Sequence, residues 1–274
     1  MPELPEVETI KNELTPHVLG RDIEDITLLW EGIVKQLPAG EFRSRVIGQR
    51  IIKLARRGKY LLFGLSGGET LVMHMKMTGS LLVNSDDDRF TRAVIHLGDG
   101  TRLYFRDPRK FGAMWLTADD NAVADKLGPE PLEEGFTVGT LIKLLLGRTA
   151  PIKAVLIDQA VIAGIGNMYA DEALFEAKIH PERPAGSLNR DEVERLYRAI
   201  GRVLRSAIGN KGASVRNYLR PGGELGTAHY EFRVAHGLGK SCPDCGTPIQ
   251  RITVRNRGTY YCPKCQKLKS APVR

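Results

Sequence analysis

Apolar positions near the start of the chain recur with the period of a helix. Over residues 5–19, Val7, Ile10 and Leu14 fall on one face, and Gly20 follows the last periodic position. Side chains three and four residues apart share one face of an α-helix, and glycine commonly ends one. The pattern therefore predicts a short amphipathic helix at the start of the chain.

Between residues 22 and 117 the pattern changes to short runs that are apolar or that alternate between apolar and polar residues. Glycine-rich turns separate these runs, as at residues 66–69 and 98–101, and such turns join antiparallel strands. Several strands connected in this way predict an antiparallel β-sandwich. The clearest candidate strands are residues 50–55, 59–65, 70–75, 93–97 and 101–105.

A helical pattern follows the break at Gly128-Pro-Glu-Pro131, where two prolines disfavour regular structure. The candidate helices are residues 151–159, 167–178 and 191–208. Residues 210–240 are polar and rich in glycine, and they lack a clear period. An irregular stretch of this length is usually functional or mobile.

Length and composition place limits on the class of protein. A chain of 274 residues exceeds the usual single domain, and 42% hydrophobic residues are enough to form buried cores. No apolar run approaches the roughly 20 residues of a membrane span. Glu3, Glu6 and Glu8 stand where a secretory signal would be apolar. We therefore expect a cytoplasmic protein with no membrane segment.

Positive charge is concentrated in two stretches of a chain whose net charge is +8 and whose sequence pI is about 9.3. Residues 43–59 hold seven Lys or Arg and no acid, and no Asp or Glu follows Cys245. The basic residues of this tail are Arg251, Arg255, Arg257, Lys264, Lys267, Lys269 and Arg274. Solvated surfaces usually mix charges of both signs, so these stretches favour a polyanionic partner such as nucleic acid.

The four cysteines form two Cys-x-x-Cys pairs that are separated by 16 residues. They are Cys242, Cys245, Cys262 and Cys265. Two such pairs supply four thiolates for a tetrahedral zinc ion, and a reducing compartment disfavours the alternative of two disulfides. Four protein ligands leave no open position, so we expect one structural zinc ion that stabilises a small hairpin.

Proline at position 2 and a carboxylate at Glu3 are candidate catalytic groups. A small second residue permits removal of Met1, which would leave Pro2 with a secondary amine at the new N-terminus. An α-amino group has a pKa of about 7.7–8.0, so a useful fraction is neutral and nucleophilic near pH 7. A nearby carboxylic acid can exchange the proton. The alternative is that this segment only begins a helix, with Pro5 in the first turn.

Three further motifs combine glycine turns with basic or bulky side chains. Lys59 follows a glycine at the start of a candidate strand, where it either contacts phosphate, carries a proton or is simply solvated. Met77 and Phe111 lie in turns after strands, with Arg109 close to the second. Apolar wedges of this kind enter a base stack and help to extrude a base, unless they belong to the core.

The second half of the chain contains two more candidate sites. Asn167 ends a Gly-Ile-Gly-Asn motif at the start of a helix, where free backbone amides suit a phosphate. Helix capping by the Asn167 side chain is the alternative. Arg257 lies between the two cysteine pairs, at the expected tip of the hairpin, where it would be held rigidly for contact with nucleic acid.

Taken together, these motifs resemble those of the bacterial formamidopyrimidine-DNA glycosylase family, which removes 8-oxoguanine and other oxidised purines from DNA. The resemblance covers nearly the whole chain, and it rests on the order and spacing of the motifs. The matching segments are residues 1–9, 56–59, 107–112, 128–131, 164–167, 170–175 and 257–266.

The resemblance implies an α+β multidomain fold in three parts. An N-terminal antiparallel β-sandwich with a leading helix would occupy residues 1–130. A central helix–two-turn–helix domain would occupy residues 131–237, and a C-terminal four-cysteine zinc-finger hairpin would occupy residues 238–274. The implied partner is damaged double-stranded DNA, and the implied location is the bacterial cytoplasm, at the nucleoid. We expect the chain to act as a monomer.

The resemblance also implies a role for each site residue. Pro2 would attack C1′ of the damaged nucleotide, Glu3 would protonate the opening sugar, and Lys59 and Arg257 would assist β- and δ-elimination. The activities would be those of a DNA glycosylase and an abasic-site lyase. The residues implied to contact DNA are Met77, Arg92, Arg109, Phe111, Lys153 and Asn167. The residues implied to close over the lesion, in a loop spanning residues 213–226, are Ser214, Arg216 and Tyr218.

The chain departs from the family pattern in two places. Phe90-Thr91-Arg92 stands where relatives carry His-Thr-His or His-Thr-Arg, so we expect Arg92 to replace the missing histidine as a DNA contact. Ala228-His229 and residues 234–237 stand in place of a Phe-Gln pair and a Val-Tyr-Gly turn, which predicts a shifted lesion preference. The alternatives are an oxidised-pyrimidine glycosylase of the endonuclease VIII type and a catalytically inactive zinc-containing DNA-binding protein.

Overall fold

The computed structural model of the protein describes residues 1–118 and 125–268. Its backbone divides into two compact units. The first consists of Met1–Asp125 with Ala207–His229, and the second consists of Lys126–Ser206 with Tyr230–Arg274. Lys269 and Arg274, the last two residues of the basic tail, lie outside the described residues.

Two four-stranded antiparallel sheets form most of the first unit. The strands are β1 (Ile23–Leu28), β2 (Ile51–Arg57), β3 (Tyr60–Leu65), β4 (Thr70–His74), β5 (Ser80–Val83), β6 (Thr91–Leu97), β7 (Arg102–Arg106) and β8 (Ala113–Thr117). One sheet has the order β1-β6-β7-β5 and the other has the order β2-β3-β4-β8. The predicted β-sandwich is confirmed, and the five candidate strands correspond to β2, β3, β4, β6 and β7.

Helix α1 (Leu4–Val18) packs its apolar face into the same core as the two sheets. Val7, Ile10 and Leu14 are fully buried, and they belong to one cluster with Phe63 of β3 and Phe105 of β7. The helix predicted over residues 5–19 is therefore confirmed. A second helix, α2 (Ala39–Val46), interrupts the strand-rich region and adds Phe42 and Val46 to this cluster.

The second unit is mainly helical and ends in a two-stranded hairpin. Its helices are α3 (Val138–Leu145), α4 (Ile152–Ile157), α5 (Asn167–Glu176) and α6 (Arg190–Gly209), of which the last residues, from Ala207, belong to the first unit. The hairpin consists of β9 (Gln250–Val254) and β10 (Arg257–Tyr261). Among the described residues, no helix is both long and apolar enough to cross a membrane.

Residues 207–229 return to the first unit after the chain has passed through most of the second. The backbone N–H of Ala213 donates to Glu6 Oε1 at 2.8 Å, and Tyr218 is buried in the core of the first unit. This segment falls within the predicted central domain of residues 131–237, whose boundaries remain a prediction.

Candidate functional site

The first turn of helix α1 carries the candidate acid and buries it. Glu3 is the N-cap residue, and its side chain is 2% exposed. Its backbone N–H donates to Glu6 Oε2 at 2.7 Å, as in a capping box, and Pro5 lies within the first helical turn, where its missing N–H costs nothing. The helix start at this segment is confirmed, and the catalytic role of Pro2 and Glu3 stays a prediction.

Lys59 lies in the two-residue turn that joins β2 to β3. Arg57 pairs with Tyr60 across the hairpin, and Gly58 adopts a φ of 56°, which a glycine accommodates without strain. The guanidinium of Arg56 donates to Glu8 of helix α1 at 2.8 Å and to the Gly58 carbonyl at 2.9 Å. Arg56 therefore fixes the turn that carries Lys59 to the helix that begins at Glu3, and Lys59 itself is only 6% exposed.

The N-terminal amine lies among these groups, on Met1 in the structure. Burial lowers its pKa below the ordinary value, the carboxylates of Glu3 and Glu6 oppose that shift, and the positive charges of Lys59 and Arg216 add to it. The predicted residues Glu3, Lys59 and Arg216 therefore all lie within electrostatic reach of this amine. A lowered amine pKa favours the neutral, nucleophilic form near pH 7.

His74 belongs to the same region, although the sequence analysis did not single it out. It is buried at the end of β4, its Nδ1 accepts the backbone N–H of Lys76 at 2.8 Å, and its ring lies edge-on to Tyr60 at 4.6 Å. Burial, followed by the charges of Lys76 and Lys59, lowers its pKa to about 3. A histidine within an otherwise apolar strand, just before a basic turn, was the signal available in the sequence.

This buried neutral imidazole predicts a loss of stability in mild acid. The unfolded state regains a pKa of about 6.5, so between pH 6.5 and pH 3 it binds more protons than the folded state, and stability falls as the pH falls. From pH 7 to pH 5, His74 should remove about 2 kcal/mol from the free energy of unfolding of the first unit. Urea titrations followed by tryptophan fluorescence report on this unit, because Trp30 and Trp115 are the two tryptophans of the chain.

A His74→Gln variant should lose this part of the pH dependence. Replacing the exposed His17 with Gln provides the control and should leave the dependence unchanged. An equal pH dependence in the wild type and in His74→Gln would show that His74 titrates normally in the folded protein.

The turns that carry Met77, Arg109 and Phe111 present them to solvent. Met77 is 40% exposed and Phe111 is 49% exposed, so the alternative that they are core residues is wrong. The Arg109 guanidinium lies over the Phe111 ring at 4.5 Å from its centroid. An apolar wedge and a cation are thus displayed side by side, in an arrangement suited to a stack of bases.

One buried carboxylate organises both turns. Asp107 accepts the backbone N–H of Phe111 and of Gly112, each at 2.7 Å, and also the hydroxyl of Thr78, which follows Met77. Gly112 is required at its position, because a Cβ there would lie 2.6 Å from the Phe105 ring. The geometry of the three exposed side chains is therefore set by Asp107, which the sequence analysis did not assign.

Arg92 is largely buried, and its hydrogen bonds support the turn that begins at Asp107. Its guanidinium donates to the Asp107 carbonyl at 2.8 Å and to the Arg89 carbonyl at 3.0 Å. Phe90 stands at the position of the family histidine, and the guanidinium groups of Arg89 and Arg106 lie 4.7 and 4.9 Å from its ring centroid. A direct contact of Arg92 with DNA stays a prediction, which this burial disfavours.

The three loop residues lie in different surroundings. The Ser214 hydroxyl donates to the Tyr218 carbonyl at 2.8 Å and accepts the Gly226 N–H at 2.9 Å, so it closes the base of the loop. Tyr218 is buried, whereas Arg216 is exposed. Of the three, Arg216 is the residue that is available to a ligand.

In the second unit, Arg257 lies at the tip of the β9–β10 hairpin, as predicted from its position between the cysteine pairs. Val254 pairs with Arg257 across a two-residue turn in which Arg255 and Asn256 both have positive φ values. Positive φ at both central residues is typical of a type I′ hairpin turn. The Arg257 side chain is exposed.

Lys153 and Asn167, both predicted to hold phosphate, instead contact the hairpin. The Lys153 ammonium is fully buried, donates to Asp171 Oδ1 at 2.6 Å and also donates to the Gly258 carbonyl at 3.3 Å. Asn167 Nδ2 donates to the same carbonyl at 2.9 Å. Both side chains therefore support the residue that follows Arg257, and a direct phosphate contact of Lys153 stays a prediction that its burial disfavours.

Asn167 does not cap helix α5. Gly166 is the N-cap residue and Asn167 is the first helical residue, so the capping interpretation is wrong. The Asn167 Oδ1 atom is buried and has no hydrogen-bond partner among the described residues. Its Nδ2 group instead donates to the Gly258 carbonyl, which lies 91 residues further along the chain.

The four cysteines come together at the base of the hairpin. Their Sγ atoms all lie within 4.8 Å of one another, with Cys242 and Cys265 3.9 Å apart and Cys245 and Cys262 3.5 Å apart. A tetrahedron with Zn–S bonds of about 2.3 Å has edges of about 3.8 Å, so the four thiolates fit one zinc ion. Phe175 of helix α5 packs against this cluster, which links the zinc site to the helices of the second unit.

Comparison with known protein families identifies three matching segments. Residues 1–114 match the formamidopyrimidine-DNA glycosylase N-terminal domain, and residues 127–218 match the formamidopyrimidine-DNA glycosylase H2TH domain. Residues 239–268 match the zinc finger found in FPG and IleRS. The expected zinc finger and the helix–two-turn–helix region are therefore both present, and the structural zinc ion belongs to the first of them.

Individual relatives match along almost the whole chain. The formamidopyrimidine-DNA glycosylases of Roseiflexus sp. and Desulfitobacterium hafniense are 45% and 43% identical, each over 97% of this chain and 100% of the relative. The MutM (Fpg) protein of Thermus thermophilus superposes with a TM-score of 0.89 at 40% identity, over 98% of this chain and 100% of its own. The Lactococcus lactis Fpg in complex with abasic-site DNA superposes with a TM-score of 0.91 at 33% identity, over 97% and 100%. The chain belongs to the formamidopyrimidine-DNA glycosylase family.

Proposed function

We propose that this chain is a base-excision repair enzyme that removes oxidised purines from duplex DNA and then cleaves the strand at the abasic site. The observation that carries the proposal is the position of the N-terminal amine, which is partly removed from solvent and within electrostatic reach of the buried side chains of Glu3 and Lys59. Related Lactococcus lactis structures contain Fapy-dG or abasic-site DNA, which is the class of substrate that such an amine would attack.

Excision requires that Met1 be removed, so that Pro2 carries the free amine. The Pro2 nitrogen attacks C1′ of the damaged nucleotide, the bond from C1′ to the base breaks, and the base leaves with that electron pair and gains a proton. Glu3 donates a proton to the ring oxygen O4′ as the sugar opens. The product is an iminium that joins Pro2 to C1′ of the sugar.

Strand cleavage follows from the same covalent bond. The iminium withdraws electrons and acidifies the C2′ proton; loss of that proton breaks the C3′–O bond and expels the 3′ phosphate. Lys59 assists this β-elimination, and Arg257 assists the δ-elimination that breaks the C5′–O bond. Met77, Arg109 and Phe111 fill the space of the extruded base, with Arg109 facing the orphaned cytosine. We also propose that the enzyme acts as a monomer in the bacterial cytoplasm.

Borohydride trapping on a duplex with 8-oxoguanine opposite cytosine tests the proposal. Reduction of the iminium should give a covalent protein–DNA band when mass spectrometry confirms a free Pro2. Protein acetylated on the Pro2 nitrogen is the matched control, because that nitrogen is then an amide and should give no band. A thymine glycol duplex tests the endonuclease VIII alternative, which predicts stronger trapping there. No band on either duplex from Met1-processed protein would indicate the inactive DNA-binding alternative.

A further inference from the structure

Helix α1 holds the segment of residues 213–226 at two points through two carboxylates on one face. Glu6 Oε1 accepts the Ala213 N–H at 2.8 Å. Glu13 accepts three hydrogen bonds from the Arg220 guanidinium, to Oε1 from Nε at 3.0 Å and from Nη2 at 2.7 Å, and to Oε2 from Nε at 3.1 Å. Glu13 follows Glu6 by seven positions, which is about two helical turns or roughly 10 Å, so both carboxylates face the same side.

The part of the segment between these anchors makes further contacts with the first unit, including a hydrogen bond from the Ser80 hydroxyl to the Asn217 carbonyl at 3.4 Å. Tyr218 is buried in the core of the first unit, and Leu219 packs against a cluster formed by Leu82, Val94 and Tyr104. Exposed residues remain at Arg216 and Asn217. We name residues 215–217 the tip.

Arg220 begins a closed turn that joins the segment to a sheet edge. Its carbonyl accepts the Gly223 N–H at 2.8 Å, its own N–H donates to the Glu224 carbonyl at 2.9 Å, and Gly223 has a φ of 92°. This arrangement is a type I turn followed by a glycine bulge. The carbonyl of Pro221, inside the turn, accepts the N–H of Val83 at the end of β5. The Arg220 side chain thus extends from a rigid turn toward helix α1.

Helix α1 relates the position of the tip to that of the N-terminal amine. Helix α1 begins beside the N-terminal amine and continues to Glu13, and Arg216 of the tip is near enough to act on the amine electrostatically. We propose that Glu13 and Arg220 are positioning residues that hold the tip in place before DNA binds, so that the tip contacts the damaged base. This inference rests on the proposed function and extends it to the selection of the lesion.

We expect the Glu13–Arg220 ion pair to affect the affinity for DNA that contains a damaged base, and not the rate of the chemical steps. Its side chains are 25% and 21% exposed, so it is only partly shielded from water. If the pair is lost, the tip samples other positions, and the apparent affinity falls in proportion to the population that remains competent. For Glu13→Gln or Arg220→Gln we expect the dissociation constant for an 8-oxoguanine duplex to rise about tenfold. The single-turnover rate at saturating enzyme should change less than about twofold, because the amine and Glu3 are untouched.

A duplex with a tetrahydrofuran abasic site separates this role from general DNA binding. It has no base for the tip to contact, so both variants should bind it as the wild type does. The matched control is Arg21→Gln, which breaks another partly exposed ion pair of the first unit, between Arg21 and Asp99 at 2.6 Å. This control should leave the affinity for both duplexes unchanged. Equal weakening on the abasic and 8-oxoguanine duplexes would overturn the proposal.

The double variant Glu13→Gln/Arg220→Gln tests whether the two residues act together. If they act only as a pair, it should bind the 8-oxoguanine duplex no more weakly than either single variant. If the fold losses in affinity of the two single variants multiply in the double variant, the two residues act independently, and the proposal that they act as a pair is wrong.

Amide hydrogen exchange in the free protein tests the anchor without any substrate. Exchange at the hydrogen-bonded amides of Gly223 and Gly226 should be faster in both single variants than in the wild type and the Arg21→Gln control, and unchanged exchange would show that the pair does not hold this segment. If the wild type is not trapped on 8-oxoguanine DNA while the exchange result holds, then the proposed function and the role of the pair in lesion selection are both wrong. The ion pair would in that case still hold the segment in the free protein.

Discussion

Glu3→Gln is expected to slow the excision of 8-oxoguanine by about 10²–10⁴-fold, the usual contribution of a positioned general acid. The substitution keeps the shape of a side chain that is 2% exposed at the N-cap of helix α1, and its backbone bond to Glu6 is unaffected. An amide cannot donate the proton that the opening sugar requires. Single-turnover kinetics with excess Met1-processed enzyme measures the rate, and the dissociation constant of the duplex should stay within about threefold of the wild type, because the carboxyl acts on chemistry.

An abasic-site duplex and a matched variant make this prediction specific. An abasic sugar already exists partly as an open aldehyde, so trapping of Glu3→Gln on it should lose less than excision does. Glu24→Gln removes the same charge from an exposed position on β1 and should leave both rates unchanged. A loss of excision below about tenfold would show that another group, or water, supplies the proton.

The parts of this fold that the sequence predicted are those with a strong local signal. Helix α1 and helix α6 carry long apolar faces, and the candidate strands alternate or are fully apolar. The four cysteines needed only their spacing. Helix α2 was not predicted because it has eight residues, only two of which are buried, within a region otherwise made of strands. Short elements of this kind depend on tertiary packing more than on their own pattern.

The sequence predicted which residues belong to the candidate site but not which of them contact one another. Glu3 and Lys59 were identified by chemistry and resemblance, whereas the role of Arg56 in joining them depends on a bond to Glu8 that spans 48 residues. Lys153 was assigned to phosphate by the family resemblance, and Asn167 by its glycine-rich motif at a helix start and by the same resemblance. Their common partner, the Gly258 carbonyl, lies 105 and 91 residues away. Local patterns carry no information on such pairs, and only the folded chain shows them.

The ion pair of Lys153 and Asp171 is fully buried in the second unit. Asp171 accepts Lys153 through Oδ1 at 2.6 Å and the Tyr260 N–H through Oδ2 at 3.1 Å, so one carboxylate joins helices α4 and α5 to strand β10. Burial raises the pKa of the Asp171 carboxyl, and the Lys153 charge and the Tyr260 N–H oppose that rise. The pair is held by its mutual attraction and by these hydrogen bonds, against a large cost of removing both charges from water.

Asp171→Ala should therefore destabilise the second unit by about 3–5 kcal/mol, because it leaves the Lys153 ammonium buried without its carboxylate. Hydrogen exchange of helices α4 and α5 measures this loss, while the fluorescence of Trp30 and Trp115 should report an unchanged first unit. Replacing both partners, as Lys153→Met/Asp171→Leu, should recover most of the stability, because apolar side chains of similar size bury no charge.

Glu176→Gln, which breaks a pair with the exposed Arg202 in the same unit, is the control and should cost less than about 1 kcal/mol. A similarly small cost for Asp171→Ala would mean that Lys153 loses its proton or reaches solvent when its partner is removed. The double variant also separates stability from positioning. It lacks the bonds to Gly258 and Tyr260, so a stable protein that forms the Pro2 adduct but completes less δ-elimination would indicate that the pair holds Arg257 in place for that step.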